Sequence, residues 1–258
     1  MNNFKKAVDF IEKSNQALRE EFPKYAPKKL WEHIHIKYQI DNREQGYSFS
    51  LSDHIRAMVY AMISSGIAWE RVEPGICIAT GRILPLDNLF HQYDINYLLE
   101  CSPDDLAEGI QELGYASRYT KVQMKALLET NIGKLQRWEK DCGSIDAYYH
   151  QFVEKDPSLK MLVHRLADSS SEDKMAQLGI ALAAEYLRNV GYDLAKPDRH
   201  LKRILGSKGL GCSEREEVPD NEVFDIVSEL AAGMGKKKAE VDYILWSACA
   251  KGYGEIYV

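Results

Sequence analysis

Residues 197–204 read Pro-Asp-Arg-His-Leu-Lys-Arg-Ile, with one acid, Asp198, at the head of an amphipathic run that carries Arg199, Lys202 and Arg203. Two kinds of chemistry suit that placing. An aspartate after a proline at a helix start is an N-cap, its carboxylate accepting N–H groups that the first turn leaves without partners. A carboxylate among cations, here also Lys196, equally suits stabilising positive charge as it develops on a reacting carbon and orienting a water against that carbon. Spacing alone leaves both uses open and favours the cap. Upstream, residues 174–191 hold a turn around Gly179, an apolar helix and a stop at Gly191. Backbone N–H groups at a glycine-led helix start can hold a phosphate without reading base sequence, with Lys174, Lys202 and Arg203 as neighbours. The other use of Gly179 is close packing between helices.

These residues must be positioned by helices, because the apolar periodicity is helical almost throughout. Helices are expected over residues 4–20, 28–38 (with Pro27 at its start), 96–100 and 118–130, and over 144–152, 175–190, 221–232 and 237–250. One more follows a Ser52-Asp53 cap, and another follows Ser102-Pro103-Asp104-Asp105 and stops at Gly114. Asp156-Pro157 opens a further helix that ends near Ala167. Residues 70–91, with Pro74, Gly75, Gly81 and Pro85, read as a loop or a short strand pair. The fold class is all-α.

The 258 residues are 45% hydrophobic and 28% charged, the balance of a soluble globular protein. No apolar run is long enough to span a bilayer, and the N-terminus has no apolar signal region, so a cytoplasmic protein is expected. Five cysteines, Cys77, Cys101, Cys142, Cys212 and Cys249, lie at least 24 positions apart. That excludes a C-x-x-C zinc knuckle and a local iron–sulfur ligand run, and no metal or cofactor is expected. Net charge is −6, yet the cations are segregated. Residues 186–208 carry Arg188, Lys196, Arg199, Lys202, Arg203 and Lys208 against Asp193 and Asp198, a local balance of +4, and residues 115–140 reach the same figure. Such segregation builds either a basic face on an acidic protein or merely solvated helix faces.

At this point the chain resembles the helix-hairpin-helix DNA glycosylase superfamily. Pro197-Asp198-Arg199-His200-Leu201-Lys202-Arg203-Ile204 follows that family's aspartate phrase, V-D-x-H-h-x-R-h. Met175-Ala176-Gln177-Leu178-Gly179-Ile180-Ala181-Leu182-Ala183 follows its hairpin, L-P-G-h-G-x-x-T-A, in part: Gly179 is kept, Gln177 replaces the first glycine and the proline is missing. Residues 52–72, with Ile63-Ser64-Ser65, are similar to the family's opening helix and turn. Leu113-Gly114-Tyr115-Ala116-Ser117-Arg118-Tyr119-Thr120-Lys121 is similar to its L-G-(F/Y)-x-x-x-K-A segment. Four segments in register over residues 50–205 overturn the cap-only reading of Asp198.

The resemblance implies a two-lobed helical fold with a central DNA-binding cleft, formed by one unit over residues 1–258. Within it, 1–50 is an N-terminal helical extension, 51–165 a helical lobe, 166–210 the hairpin and aspartate segment, and 211–258 the C-terminal helices. It implies hydrolysis of the N-glycosidic bond of a damaged or modified base in double-stranded DNA, by a monomer, in the cytoplasm or with a bacterial nucleoid. Asp198 would be the catalytic carboxylate, and Lys174, Gln177, Gly179, Arg199, Lys202 and Arg203 the DNA contacts. Ser65, Trp69, Tyr115, Tyr119 and Trp246, with Asp242, would line the base pocket or fill the vacated stack. Members that also cut the strand carry a hairpin lysine that forms a Schiff base. Its place falls close to Ala181, with no lysine between Gly179 and Asp198 except Lys196, which implies a monofunctional hydrolase, with Lys174 as the one candidate for that amine. The rival readings are a non-catalytic DNA-binding protein of the same fold and a helical interaction scaffold.

Overall fold

The computed structural model describes residues 3–21, 30–67 and 69–251. In chain order these form α1 (Asn3–Glu21), a 3₁₀ turn at Trp31–His33, α2 (His35–Glu44), α3 (Leu51–Ile63), α4 (Trp69–Val72), α5 (Leu84–Leu89) and α6 (Ile95–Glu100). Then follow α7 (Pro103–Glu112), α8 (Thr120–Ala126), a π-helical segment at Leu127–Asn131, α9 (Ile132–Cys142), α10 (Ile145–Val153) and α11 (Lys160–Ala167). The last are α12 (Ile180–Asn189), α13 (Arg199–Ile204), α14 (Asp220–Met234) and α15 (Lys238–Lys251). Among the described residues the β content is a single bridge between Ile76 and Ile83, so the fold is all-α as expected. That bridge is all that the anticipated strand pair amounts to. No described helix is long and apolar enough to cross a membrane.

Several boundaries differ from expectation. The start of the helix expected over 28–38 lies outside the described residues, and α2 begins only at His35. The helix expected to end near Thr130 runs on through the π segment into α9. α3 is capped by Ser50 rather than Ser52: the Ser50 hydroxyl accepts from Asp53 N, and Asp53 Oδ2 accepts from Ser50 N at 2.9 Å. That reciprocal pair satisfies two groups at once. The helix expected from residue 175 starts at Ile180, because residues 172–179 form a separately braced loop.

The described residues form two compact units, one of the N-terminal residues to Lys37 with those from Asp193 onward, the other of Tyr38–Tyr192. In the second, α3 is the central helix, buried from Asp53 to Ile63, and it packs on α12. A polar chain runs through that packing. His54 Nδ1 lies 2.7 Å from Tyr186 Oη, which lies 2.9 Å from Tyr149 Oη. Asp146 Oδ1 accepts from Arg43 Nη2 at 2.8 Å and stands 3.7 Å from His54 Nε2. Burial opposes ionisation of Asp146, but the nearby His54 ring and the charge and hydrogen bond of Arg43 outweigh it and hold its pKa at about 2. Burial pushes the pKa of His54 below its usual 6.5, against the pull of Asp146.

The sign of the linkage follows. The unfolded chain protonates this imidazole near pH 6.5, and the folded chain does so only at lower pH. Stability is therefore lost as pH falls through about 6.5, by up to about 1.4 kcal/mol per unit. Asp146 contributes in full above its unfolded pKa of 3.8 and loses that contribution as pH falls from there to about 2. Thermal melts from pH 7.5 to 5.5 should show Tm falling in the wild type and a shallower slope in His54→Gln. Equal slopes would refute the assignment.

In the first unit, α13, α14 and α1 pack on α15. The extended stretch that leads into α13 is pinned along α15 by two carboxylates. Asp193 accepts from Lys238 N (3.1 Å) and Ala239 N (2.9 Å), capping α15 from outside it, and Asp242 Oδ2 accepts from Lys196 N at 2.5 Å.

Candidate active site and hairpin

Asp198 sits at the end of that pinned stretch and caps α13. Its Oδ1 accepts from His200 N at 2.8 Å and from Leu201 N at 3.1 Å. Both bonds use one oxygen, and among the described residues Oδ2 takes no hydrogen bond. The half-buried carboxylate is thus fixed by backbone through one oxygen. Buried Leu201 and Ile204 hold α13 against the unit's core. Of the expected cations, Lys202 pairs with Asp220 at 2.6 Å and Arg203 with Glu217 at 3.3 Å, while Arg199 is exposed. The Arg203–Glu217 pair is solvent-exposed, worth about 0–1 kcal/mol, whereas the Lys202–Asp220 pair is half-buried. Asp242 is buried, and Trp246 is half-buried, stacked on Tyr243 with ring centroids 6.4 Å apart. Burial, and secondarily the charge of Asp198, push the Cys249 thiol up to about 11. Cys249 is thus a neighbour of Asp198 that sequence reading missed.

The hairpin belongs to the other unit. Gly179 is the N-cap of α12 with extended backbone (φ −84°, ψ 180°), is exposed, and gives the helix no side-chain cap. A Cβ built on it would meet nothing within 4 Å, so packing does not demand a glycine here. Open space beside the backbone is what an approaching phosphate needs. Lys174 is half-buried, its Nζ donating to Leu178 O, and burial lowers its pKa. Ala181, at the second position of α12, is half-buried.

Gln177 occupies the left-handed region at φ +63°. The position that carries glycine in the family phrase thus keeps the glycine conformation without the glycine. Holding a side chain there costs on the order of 1 kcal/mol. Gln177 is exposed, so Gln177→Gly should raise unfolding free energy by about 0.5–1 kcal/mol in urea titrations, and a loss would show the side chain to be stabilising.

The residues expected at the base or its vacated place belong to the Tyr38–Tyr192 unit, apart from Trp246 and Asp242. Ser65 follows α3, half-buried, with its N–H donating to Met62 O at 3.1 Å. Trp69 opens α4 and is half-buried. Tyr115 is a core side chain, 5% exposed and packed against Gly75. Tyr119 is exposed just before α8, with the Arg118 guanidinium 4.7 Å above its ring. Among the described residues no cluster of three or more His, Cys, Asp or Glu side chains could hold a metal.

No family model matches the chain. A curated protein, the 8-oxoguanine DNA glycosylase/AP lyase of Aquifex aeolicus (strain VF5), is 33% identical over 97 residues, 36% of this chain. The match spans 43% of that relative, less than half its length. Among solved structures, the 8-oxoguanine glycosylase/lyase of Methanocaldococcus jannaschii, in complex with a 15mer DNA containing 8-oxoguanine, superposes with a TM-score of 0.56 at 17% identity, covering 95% of this chain and 98% of that one. The 8-oxoguanine DNA glycosylase of Thermotoga maritima gives 0.57 at 16% identity, covering 95% and 96%. The chain therefore has the helix-hairpin-helix glycosylase fold.

Proposed function

We propose that this chain is a DNA glycosylase that hydrolyses the N-glycosidic bond of a modified base and leaves the strand uncut. The observation that carries the reading is Asp198: a carboxylate in the family's aspartate phrase, locked by two backbone N–H bonds through Oδ1 with Oδ2 left over. The base must first leave the stack to be reached. As the bond from C1′ to the base stretches, positive charge grows on the sugar, and a fixed carboxylate stabilises it without reorganising. Water then adds to C1′, the bonding pair leaves with the base, and the base takes up a proton. The names of the relatives make 8-oxoguanine the first base to offer.

Two hairpin features support the part of the reading that leaves the strand uncut. Position 181 holds alanine, and the Lys174 amine is occupied by Leu178 O. Duplex binding separates this reading from a DNA-binding protein that kept only the fold. A glycosylase should bind an abasic-analogue duplex more tightly than plain duplex, with a salt-dependent affinity. Equal affinity for both would favour the non-catalytic protein, and no binding to either would favour a scaffold.

A further inference from the structure

The loop before α12 is held from inside by side chains of one preceding helix. Asn131, buried at the end of the π segment, accepts from Ala176 N through Oδ1 at 2.8 Å and donates to Ala176 O through Nδ2 at 3.0 Å. One turn on, Lys134 Nζ donates to Glu172 O and to Lys174 O, each at 2.8 Å. Lys174 Nζ takes Leu178 O, while fully buried Met175 and Leu178 anchor the loop's apolar side. The carbonyls of residues 172, 174, 176 and 178 are thus all occupied. In a trans peptide the carbonyl of one residue and the N–H of the next point in opposite directions, and there is no cis bond here. With the Ala176 and Leu178 carbonyls turned toward Asn131 and Lys174, the N–H groups of Gln177 and Gly179 point away from them, and both residues are exposed. The π segment has a reason in this: a π turn shifts the register of a helix and re-aims one side chain. Here it ends on Asn131.

We propose that Asn131 and Lys134 are positioning residues for nucleic-acid binding, presetting the outward N–H groups of Gln177 and Gly179 for one backbone phosphate. This rests on the DNA-binding half of the function proposed above. In that role they substitute for the conformational restriction that the family hairpin draws from its proline and first glycine. Neither side chain touches DNA. Losing them costs affinity for any duplex and leaves the chemical step alone.

The test compares wild type, Asn131→Asp, Asn131→Leu and Lys134→Met on an undamaged duplex and on a base-modified duplex that the wild type processes. Lys134 is half-buried and on the helix flank, so its variant is expected to fold even if Asn131→Leu does not. At wild-type Tm, Lys134→Met and Asn131→Leu should weaken undamaged-duplex Kd about tenfold. Asn131→Leu should leave the slope of log Kd against log salt near the wild-type value, because the N–H groups that hold the phosphate are uncharged and displace no counterion. KM should rise in parallel with kcat kept within about twofold. Asn131→Asp, which keeps the acceptor for Ala176 N, should restore part of the affinity. A merely structural role would lower Tm and the active fraction without moving KM. Unchanged Kd in Lys134→Met overturns the proposal. Duplex binding without base release in every protein would overturn the glycosylase reading alone, because the affinity comparison still stands.

Discussion

Asp198→Asn is expected to abolish base release, by at least about 10³-fold in kcat, with stability within about 0.5 kcal/mol of wild type. The two halves of that expectation come from the same geometry. Asparagine caps a helix about as well as aspartate, and its amide oxygen can keep the bonds from His200 N and Leu201 N. What the substitution removes is the negative charge that a developing oxocarbenium needs. Asp198→Ala removes both and should cost about 1 kcal/mol of stability as well as the activity. The pair therefore separates the two uses of one carboxylate. If Asp198→Asn retains full base release and only Asp198→Ala is impaired, Asp198 is a helix cap and nothing more. Melting curves and single-turnover base release on the same preparations decide it.

Ala181→Lys is expected to install strand cleavage that the wild type lacks. The resemblance puts the family's Schiff-base lysine close to this position, the second residue of α12, where the alanine is half-buried. An ammonium at a helix N-terminus is disfavoured by about 0.3–1 kcal/mol, which favours the neutral, nucleophilic amine. The amine attacks C1′, the base departs with the bonding pair, and ring opening gives an imine that borohydride reduces to a stable crosslink. Wild type should give no crosslink on a processed duplex, and Ala181→Lys should give one together with a cut strand. Failure of Ala181→Lys to crosslink while base release persists would show that residue 181 does not face the sugar. A crosslink in the wild type would contradict monofunctional action and turn attention to Lys174.

How much of this was legible beforehand depends on the range of the interactions. The cap at Asp198, the stop at Gly191 (φ +83°) and the Ser102-Pro103 start are local, and the residue types announce them. Charge counting also placed Lys202 and Arg203 in a basic segment, but it could not show that Asp220 and Glu217 would pair with them. The parts that position the chemistry are long-range. Asp193 read as one more acid and Asp242 as a base-pocket candidate, yet they fix the approach to Asp198 through α15, some 45 residues away in the chain. Asn131 falls just past the helix expected over 118–130 and carries no local signal of its own, although a buried asparagine calls for partners. Its partners lie 45 residues on, at Ala176. That bracing is also why α12 begins five residues later than periodicity suggested: Met175 and Leu178 are apolar and spaced for a helix, but they anchor a loop.

The most direct measurement offers wild type and Asp198→Asn a mixed panel of duplexes carrying alkylated purines, oxidised purines including 8-oxoguanine, deaminated bases and enzymatically modified bases. Free bases are read by mass spectrometry and strands on a denaturing gel before and after alkali. Wild type should release one class of base and leave its strand intact until alkali is added, and Asp198→Asn should release none. Two proteins equally inert across the whole panel, or equally active, would contradict the assignment of Asp198 as the catalytic carboxylate of a DNA glycosylase.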